Sequence, residues 1–196
     1  MRRFVLVGHR AVTSSQFKLN DLCGSTGRLD VLLRCVNSAF FLSHDFRRDV
    51  ELYLVLLGDP DPPKTIRLRG DELKYVNPDE RSTGALIRNA LMKKIDGSEV
   101  NSTPGIYISK SGFEDTLKKL ADISELVYLR EDGESFTSEK SNDDLTFILS
   151  DDKNMTEEEE NTILTFNPKI YSLGKTSYHS DHCITIVSWF MDNKEK

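Results

Sequence analysis

The side chains best able to do chemistry crowd into one stretch, Ile170-Tyr171-Ser172-Leu173-Gly174-Lys175-Thr176-Ser177-Tyr178-His179-Ser180-Asp181-His182-Cys183. A thiol at a helix start is a candidate nucleophile, because the positive end of a helix lowers its pKa; a cysteine is equally an ordinary small core residue. His179, His182 and Cys183 invite a zinc site. Adjacent positions 182 and 183 do not converge easily on one tetrahedral ion, and no second ligand cluster exists, so no metal is expected. A third chemistry is ligand binding by backbone. The stretch reads as a strand end, a glycine turn, a polar loop and a helix start, with Ser180 or Asp181 as N-cap and Cys183, Ile184, Val187, Phe190 and Met191 at helical spacing. Such a junction exposes N–H groups, and in an open α/β sheet it is where a ligand is expected, although it also serves as a plain strand-to-helix connection.

Outside this stretch the reactive types are arginines and carboxylates. Arg28 stands at a glycine-rich helix entrance, and Arg47 and Arg48, flanked by acids, precede a strand. Guanidinium matches phosphate with two parallel hydrogen bonds, which makes these three candidates for nucleic-acid contact; the alternative is surface ion pairs worth little. Asp30 and Asp45 are the carboxylates nearest to them, and Asp30 can pair with Arg34 one helical turn on. His9 follows the first strand and is assigned no role.

The elements that must position these groups follow from hydrophobic period. Arg3–Gly8 is a buried strand, Leu29 to Phe40 a core-facing helix, and residues 50–57 and 64–70 a hairpin in which Arg67 and Arg69 form a basic stripe at a sheet edge. Asn77-Pro78-Asp79-Glu80 starts a helix with Asn77 as cap. A Pro-Gly turn feeds a strand at Ile106–Ser109. Leu117 to Ile123 is helical, Leu126–Leu129 a strand before an acidic turn at 131–134, Thr146–Leu149 a buried strand, and Thr156 with Glu159 a capping box whose acidic run suits a helix N-terminus. Alternating strands and helices indicate an α/β fold with a mainly parallel sheet.

Length and composition suit one globular domain. Three cysteines without C-x-x-C spacing indicate reduced thiols, and no apolar run spans a bilayer, so a cytoplasmic protein is expected. The net charge is −6, unevenly placed: residues 1–110 hold 17 Lys and Arg against 13 Asp and Glu, and residues 111–196 hold 9 against 19. The basic half is compatible with one nucleic-acid-facing surface.

The string from Leu173-Gly174 through Tyr178 to His182-Cys183-Ile184 resembles the final motif of the SPOUT methyltransferases, in particular the archaeal tRNA pseudouridine N1-methyltransferases. Gly24-Ser25-Thr26-Gly27-Arg28-Leu29-Asp30, the segment Phe40–Asp49 and Ser102-Thr103-Pro104-Gly105-Ile106-Tyr107 resemble the same family, in the same order and spacing. The resemblance implies a single SPOUT domain over 1–196, with helices flanking the sheet and a C-terminal trefoil knot in about 125–190. It implies S-adenosylmethionine as cofactor, with Leu129 lining the adenine pocket, Ser150 offering a backbone amide, Leu173, Gly174, Lys175, Thr176, Ser177 and Tyr178 wrapping the molecule and Cys183 closing it. It further implies a homodimer with the cofactor near the interface, and the helix bearing Trp189, Phe190 and Met191 is an interface element or core. The implied reaction is methyl transfer to N1 of a pseudouridine in the tRNA T-loop, with Arg28, Arg47 and Arg48 on RNA; the proton acceptor is unassigned, Asp30 and Asp45 being candidates. One departure stands out. Where the family carries Gly-Asp-His and a further glycine, this chain has Ser150-Asp151-Asp152-Lys153-Asn154, which restricts left-handed backbone and close ligand approach. An RNA-binding relative without catalysis and a methyltransferase for another RNA, such as ribosomal RNA, are the alternatives.

Overall fold

The computed structural model describes residues 1–140 and 144–194. In chain order the elements are β1 (Arg2–Gly8), α1 (Leu22–Ser25), α2 (Leu29–Phe40), β2 (Val50–Leu56), β3 (Lys64–Arg69), α3 (Glu80–Leu91), β4 (Val100–Thr103), β5 (Ile106–Ser109), α4 (Phe113–Ala121), β6 (Glu125–Ser135), β7 (Leu145–Ser150), α5 (Glu157–Thr165), β8 (Lys169–Ser172) and α6 (Ser180–Asp192). The described strands form one sheet in the order β4-β5-β3-β2-β1-β7-β6-β8. From β2 to β8 all neighbours run parallel, whereas β2–β3, β3–β5 and β4–β5 are antiparallel. The sheet is therefore mixed, with its parallel part holding the centre and the C-terminal side.

Two apolar layers sandwich it. Phe4, Leu6, Leu52, Leu54, Phe147 and their neighbours meet α2, α3 and α6 on one face. Val5, Val7, Val55, Ile148 and Tyr128 meet Phe113, Leu117 and Leu120 of α4 and Ile163 of α5 on the other. This explains why β1 and β7 are nearly continuous hydrophobic runs: a parallel strand covered on both faces has no solvent side to make polar. The two charges at the start of β1 are buried but paired, Arg2 with Asp49 and Asp192, and Arg3 with Glu51 and Asp144.

Local rules were overruled at several places. The cap of α3 is Asp79, which accepts from the Ser82 amide at 2.8 Å, two residues after the expected Asn77. The acidic segment 131–134 is not a turn between elements but an irregularity within β6, which pairs with β8 again at Glu134 and Ser135. Arg67 and Arg69 do not form a basic edge. β3 lies inside the sheet, and both arginines reach the buried carboxylate of Glu51, with Glu99, Asp71 and Glu72 taking their remaining donors.

The capping box at α5 forms as expected: Thr156 Oγ1 accepts from the Glu159 amide at 3.2 Å and Glu159 accepts from the Thr156 amide at 2.8 Å. Thr156→Ala removes one of these bonds and should cost about 1 kcal/mol in urea-denaturation stability.

Candidate functional site

On one side of the sheet, the outer part of β6 and the segments that follow β7 and β8 enclose a cleft of about 770 Å³. Its walls are the segment after Tyr128 in β6, the loop from Ser150 to Met155 after β7, and the loop from Leu173 to His179 that leads into α6. The lining is apolar at Leu129, Ile148, Leu149 and Leu173 and carries both signs of charge, with Glu131, Asp132, Asp151, Asp152 and Glu160 beside Arg130 and Lys153. A concave site with an apolar floor and a few oriented polar groups, outside the carboxyl ends of parallel strands, is the arrangement that binds small molecules.

Of the residues expected to touch a cofactor, Leu129, Ser150, Leu173, Gly174, Thr176, Ser177, Tyr178 and Cys183 line this cleft together. Lys175 does not, and is exposed beside it. Gly174 has φ of +127°, which explains the glycine; a side chain there would meet no protein atom but would carry backbone strain. Ser180 is not the cap of α6. His179 occupies that position without a side-chain bond, so the helix amides keep their free ends, while Ser180 Oγ donates to the carbonyl of Ser150 at 2.5 Å and ties the two cleft loops together.

Cys183 is held in its thiol form. Burial, reinforced by Asp181 and Glu131, pushes its thiol up to about 11, and its Sγ–H donates to the Tyr178 carbonyl at 3.7 Å. Cys183→Ala should keep cofactor affinity within about threefold by calorimetry, since only one methylene-sized contact is lost. His179 and His182 meet edge to face with centroids 5.8 Å apart, and no group of three or more metal-ligating side chains converges among the described residues.

The loop that lacks the family glycines is closed by side chains. No described residue from Ser150 to Thr156 has positive φ, so Ser150 bears no left-handed strain. Asp151 instead accepts from the Lys153 amide at 3.0 Å, from the His9 amide at 2.8 Å and from His9 Nδ1 at 2.8 Å. Asp152 is gripped by Arg10 at 2.9 Å and by Arg28 at 3.3 Å. His9, unassigned from sequence, thus belongs to the structure behind the cleft.

The three candidate RNA arginines are all engaged. Arg28, at the left-handed entrance to α2 (φ 73°), makes two bonds to Asp30, at 3.1 and 3.2 Å. Gly27 before it is obligatory, since a Cβ there would overlap the Arg10 carbonyl. Arg47 grips both oxygens of Asp192 at 2.7 Å, anchoring the C-terminal end of α6. Arg48 donates to the carbonyls of Gly70 and Leu73 and stacks on Phe46. Neither candidate base lines the cleft. Asp30 is buried, which alone would raise its pKa, but hydrogen bonds from Arg28 and Arg34 outweigh that and hold it low, so its lone pairs are already in use. Asp45 caps its own turn by accepting from the Phe46 amide.

Comparison with known proteins adds three findings. Residues 1–196 match the family described as "Putative SAM-dependent RNA methyltransferase". The chain is 51% identical to the tRNA (pseudouridine(54)-N(1))-methyltransferase of Methanocella arvoryzae, over 99% of this chain and 100% of that protein, and 47% identical to that of Methanosarcina mazei, over 100% and 92%. Among solved structures, Archaeoglobus fulgidus Nep1 bound to S-adenosylhomocysteine shares the fold, with a TM-score of 0.68 at 16% identity and 97% of both chains covered.

Proposed function

Because the chain belongs to the S-adenosylmethionine-dependent RNA methyltransferase family that it matches over residues 1–196, we propose that it methylates N1 of pseudouridine 54 in tRNA. The observation that carries this reading is the meeting, in one cleft, of the motif residues Leu129, Ser150, Leu173, Gly174 and Thr176 through Tyr178. The donor set fits S-adenosylmethionine. The volume suits a ligand of that size, and the leucines suit an adenine. When bound, the cofactor supplies an electrophilic methyl group on its sulfonium.

What the chain contributes is position. Holding the cofactor at the strand ends and the target nucleotide against it makes the transfer effectively unimolecular, which is worth several kcal/mol of the barrier. Pseudouridine offers N1 as nucleophile because its glycosidic bond runs through carbon; the products would be the N1-methylated nucleotide, S-adenosylhomocysteine and the N1 proton, released to solvent. Of the candidate RNA contacts, Arg48 is exposed and Arg28 has 32% of its side chain exposed, whereas Arg47 at 12% serves the fold first. The same reading takes 1–196 as one domain, a cytoplasmic protein, and a homodimer built on α6, whose Trp189 is 58% exposed. It includes a knot near 125–190; the bond from Ser180 back to Ser150 and the packing of α6 on α2 support a chain end tucked through its own loops. No helix among the described residues is long and apolar enough to cross a membrane.

Calorimetric titration with S-adenosylmethionine tests the cleft. The native chain should bind in the micromolar range, with affinity unchanged within about threefold in Ser150→Gly, because no strain is relieved. Binding only by the glycine variant would indicate a relative disabled at this loop, and silence from both would remove the assignment.

A further inference from the structure

We propose that His9 is a positioning residue for the cofactor: as an imidazolium bridging Asp151 and Glu159, it fixes both ends of the loop that forms one wall of the cleft. The inference rests on the assignment of that cleft to S-adenosylmethionine.

The geometry is specific. His9 Nδ1 lies 2.8 Å from Asp151 Oδ1 and Nε2 lies 3.0 Å from Glu159 Oε2. Ionised carboxylates only accept, so both ring nitrogens must carry protons. The three side chains are almost out of water, at 11%, 1% and 13% exposure, where a charge persists only if it is paired. Asp151 stands at the start of the loop after β7. Glu159 stands on α5, and the same oxygen that meets His9 accepts from the amide and hydroxyl of Thr156, the last residue of that loop. One ring therefore staples residue 151 to residue 156, and the residues between, Asp152 to Met155, line the cleft. This is how a loop without glycine keeps its shape.

The charged groups facing the ring are Asp151 from the end of β7 and Glu159 from α5; the neighbouring Arg10 turns to Asp152 instead. The hydrogen bond to Asp151 raises the His9 pKa above its usual value of 6.5, partly opposed by burial and reinforced by Glu159. Below that raised value both staples hold. As pH rises through it, one nitrogen loses its proton, one carboxylate loses its ring donor while keeping its amide donors, and the ring no longer ties residue 151 to residue 156.

The test is calorimetric titration with S-adenosylmethionine from about pH 5.5 to about 9 on the native protein, His9→Gln and Glu159→Gln. Glu159→Gln keeps the acceptor for Thr156 and removes only the charge. The native protein should hold constant affinity at low pH and lose it with a single break above 6.5. His9→Gln should bind about tenfold more weakly at low pH and show no break, and Glu159→Gln should move the break to lower pH. Native-like affinity and pH profile in His9→Gln would overturn the inference. If the native protein binds no S-adenosylmethionine at any pH, the cleft assignment falls, and hydrogen exchange of the 152–155 amides decides the staple separately. Faster exchange in His9→Gln supports it, and unchanged exchange overturns it.

Discussion

Phe147→Ala should destabilise the protein by about 3–5 kcal/mol, the range for deleting a fully buried phenylalanine where the surroundings cannot collapse. Collapse is prevented here by neighbours on every side. Phe147 is wholly buried on β7, between β1 and β6. It stacks on Phe4 at 5.6 Å and meets the edge of Phe136 at 5.5 Å, and Phe136 in turn contacts Tyr171 at 5.5 Å and Phe190 at 5.7 Å. This aromatic column joins the sheet centre to β8 and α6, the two elements that flank the loop 173–179. Loss of the ring should therefore weaken cofactor binding as well as stability. Phe147→Leu, which keeps most of the volume, should cost under about 1.5 kcal/mol. Urea denaturation of the pair checks it: equal, small losses would mean that the surroundings close over the missing ring and that the column does not hold the core in place.

Asp151→Ala should be comparably severe for a different reason. Its carboxylate serves the His9 amide, His9 Nδ1 and the Lys153 amide, and its side chain is 1% exposed. Its removal leaves the His9 and Lys153 amides without an acceptor and the imidazolium with Glu159 alone, and breaking a buried ion pair typically costs about 3–5 kcal/mol. The loop that lines the cleft then loses its first anchor, and affinity for S-adenosylmethionine should fall by about a hundredfold. The native pair also sets a pH signature. Burial pushes Asp151 up, but its hydrogen bonds from His9 and Lys153 win and hold it below the usual 3.8, so its contribution is present above that value and lost as pH falls through the lowered one. His9 is raised, so its contribution is complete below 6.5 and lost as pH rises through the raised value. Stability measured against pH should therefore peak between these limits in the native protein, and Asp151→Ala should flatten both limbs.

Much of the fold was legible because local signals and tertiary structure agree. The β2–β3 hairpin follows from two apolar runs around a proline-rich turn, and the Thr156–Glu159 box and the Asp30–Arg34 pair form as their spacing dictates. The cleft residues were legible through the motif they make, not through any period. What could not be read was set by contacts far apart in sequence. Local rules make Ser180 a cap, yet its hydroxyl is taken by a carbonyl 30 residues upstream. Arg67 and Arg69 alternate like an exposed edge, yet β5 covers that side and Glu51 absorbs their charge. β4 is a short, partly exposed polar strand with almost no hydrophobic pattern to announce it. His9 looked like a loop histidine because its partners lie 142 and 150 residues away. The missing glycines looked like damage because their replacement, a side-chain staple, has no local signature.

Pseudouridine is a nucleotide that uridine cannot imitate at N1. The most direct measurement incubates the purified protein with S-adenosylmethionine and two T-arm RNAs that differ only in carrying pseudouridine or uridine at position 54, followed by nucleoside mass analysis. One methyl group should appear, on N1 of the pseudouridine, and none on the uridine RNA. Equal methylation of both RNAs, or none of the pseudouridine RNA by a protein that binds the cofactor, would contradict the proposed activity.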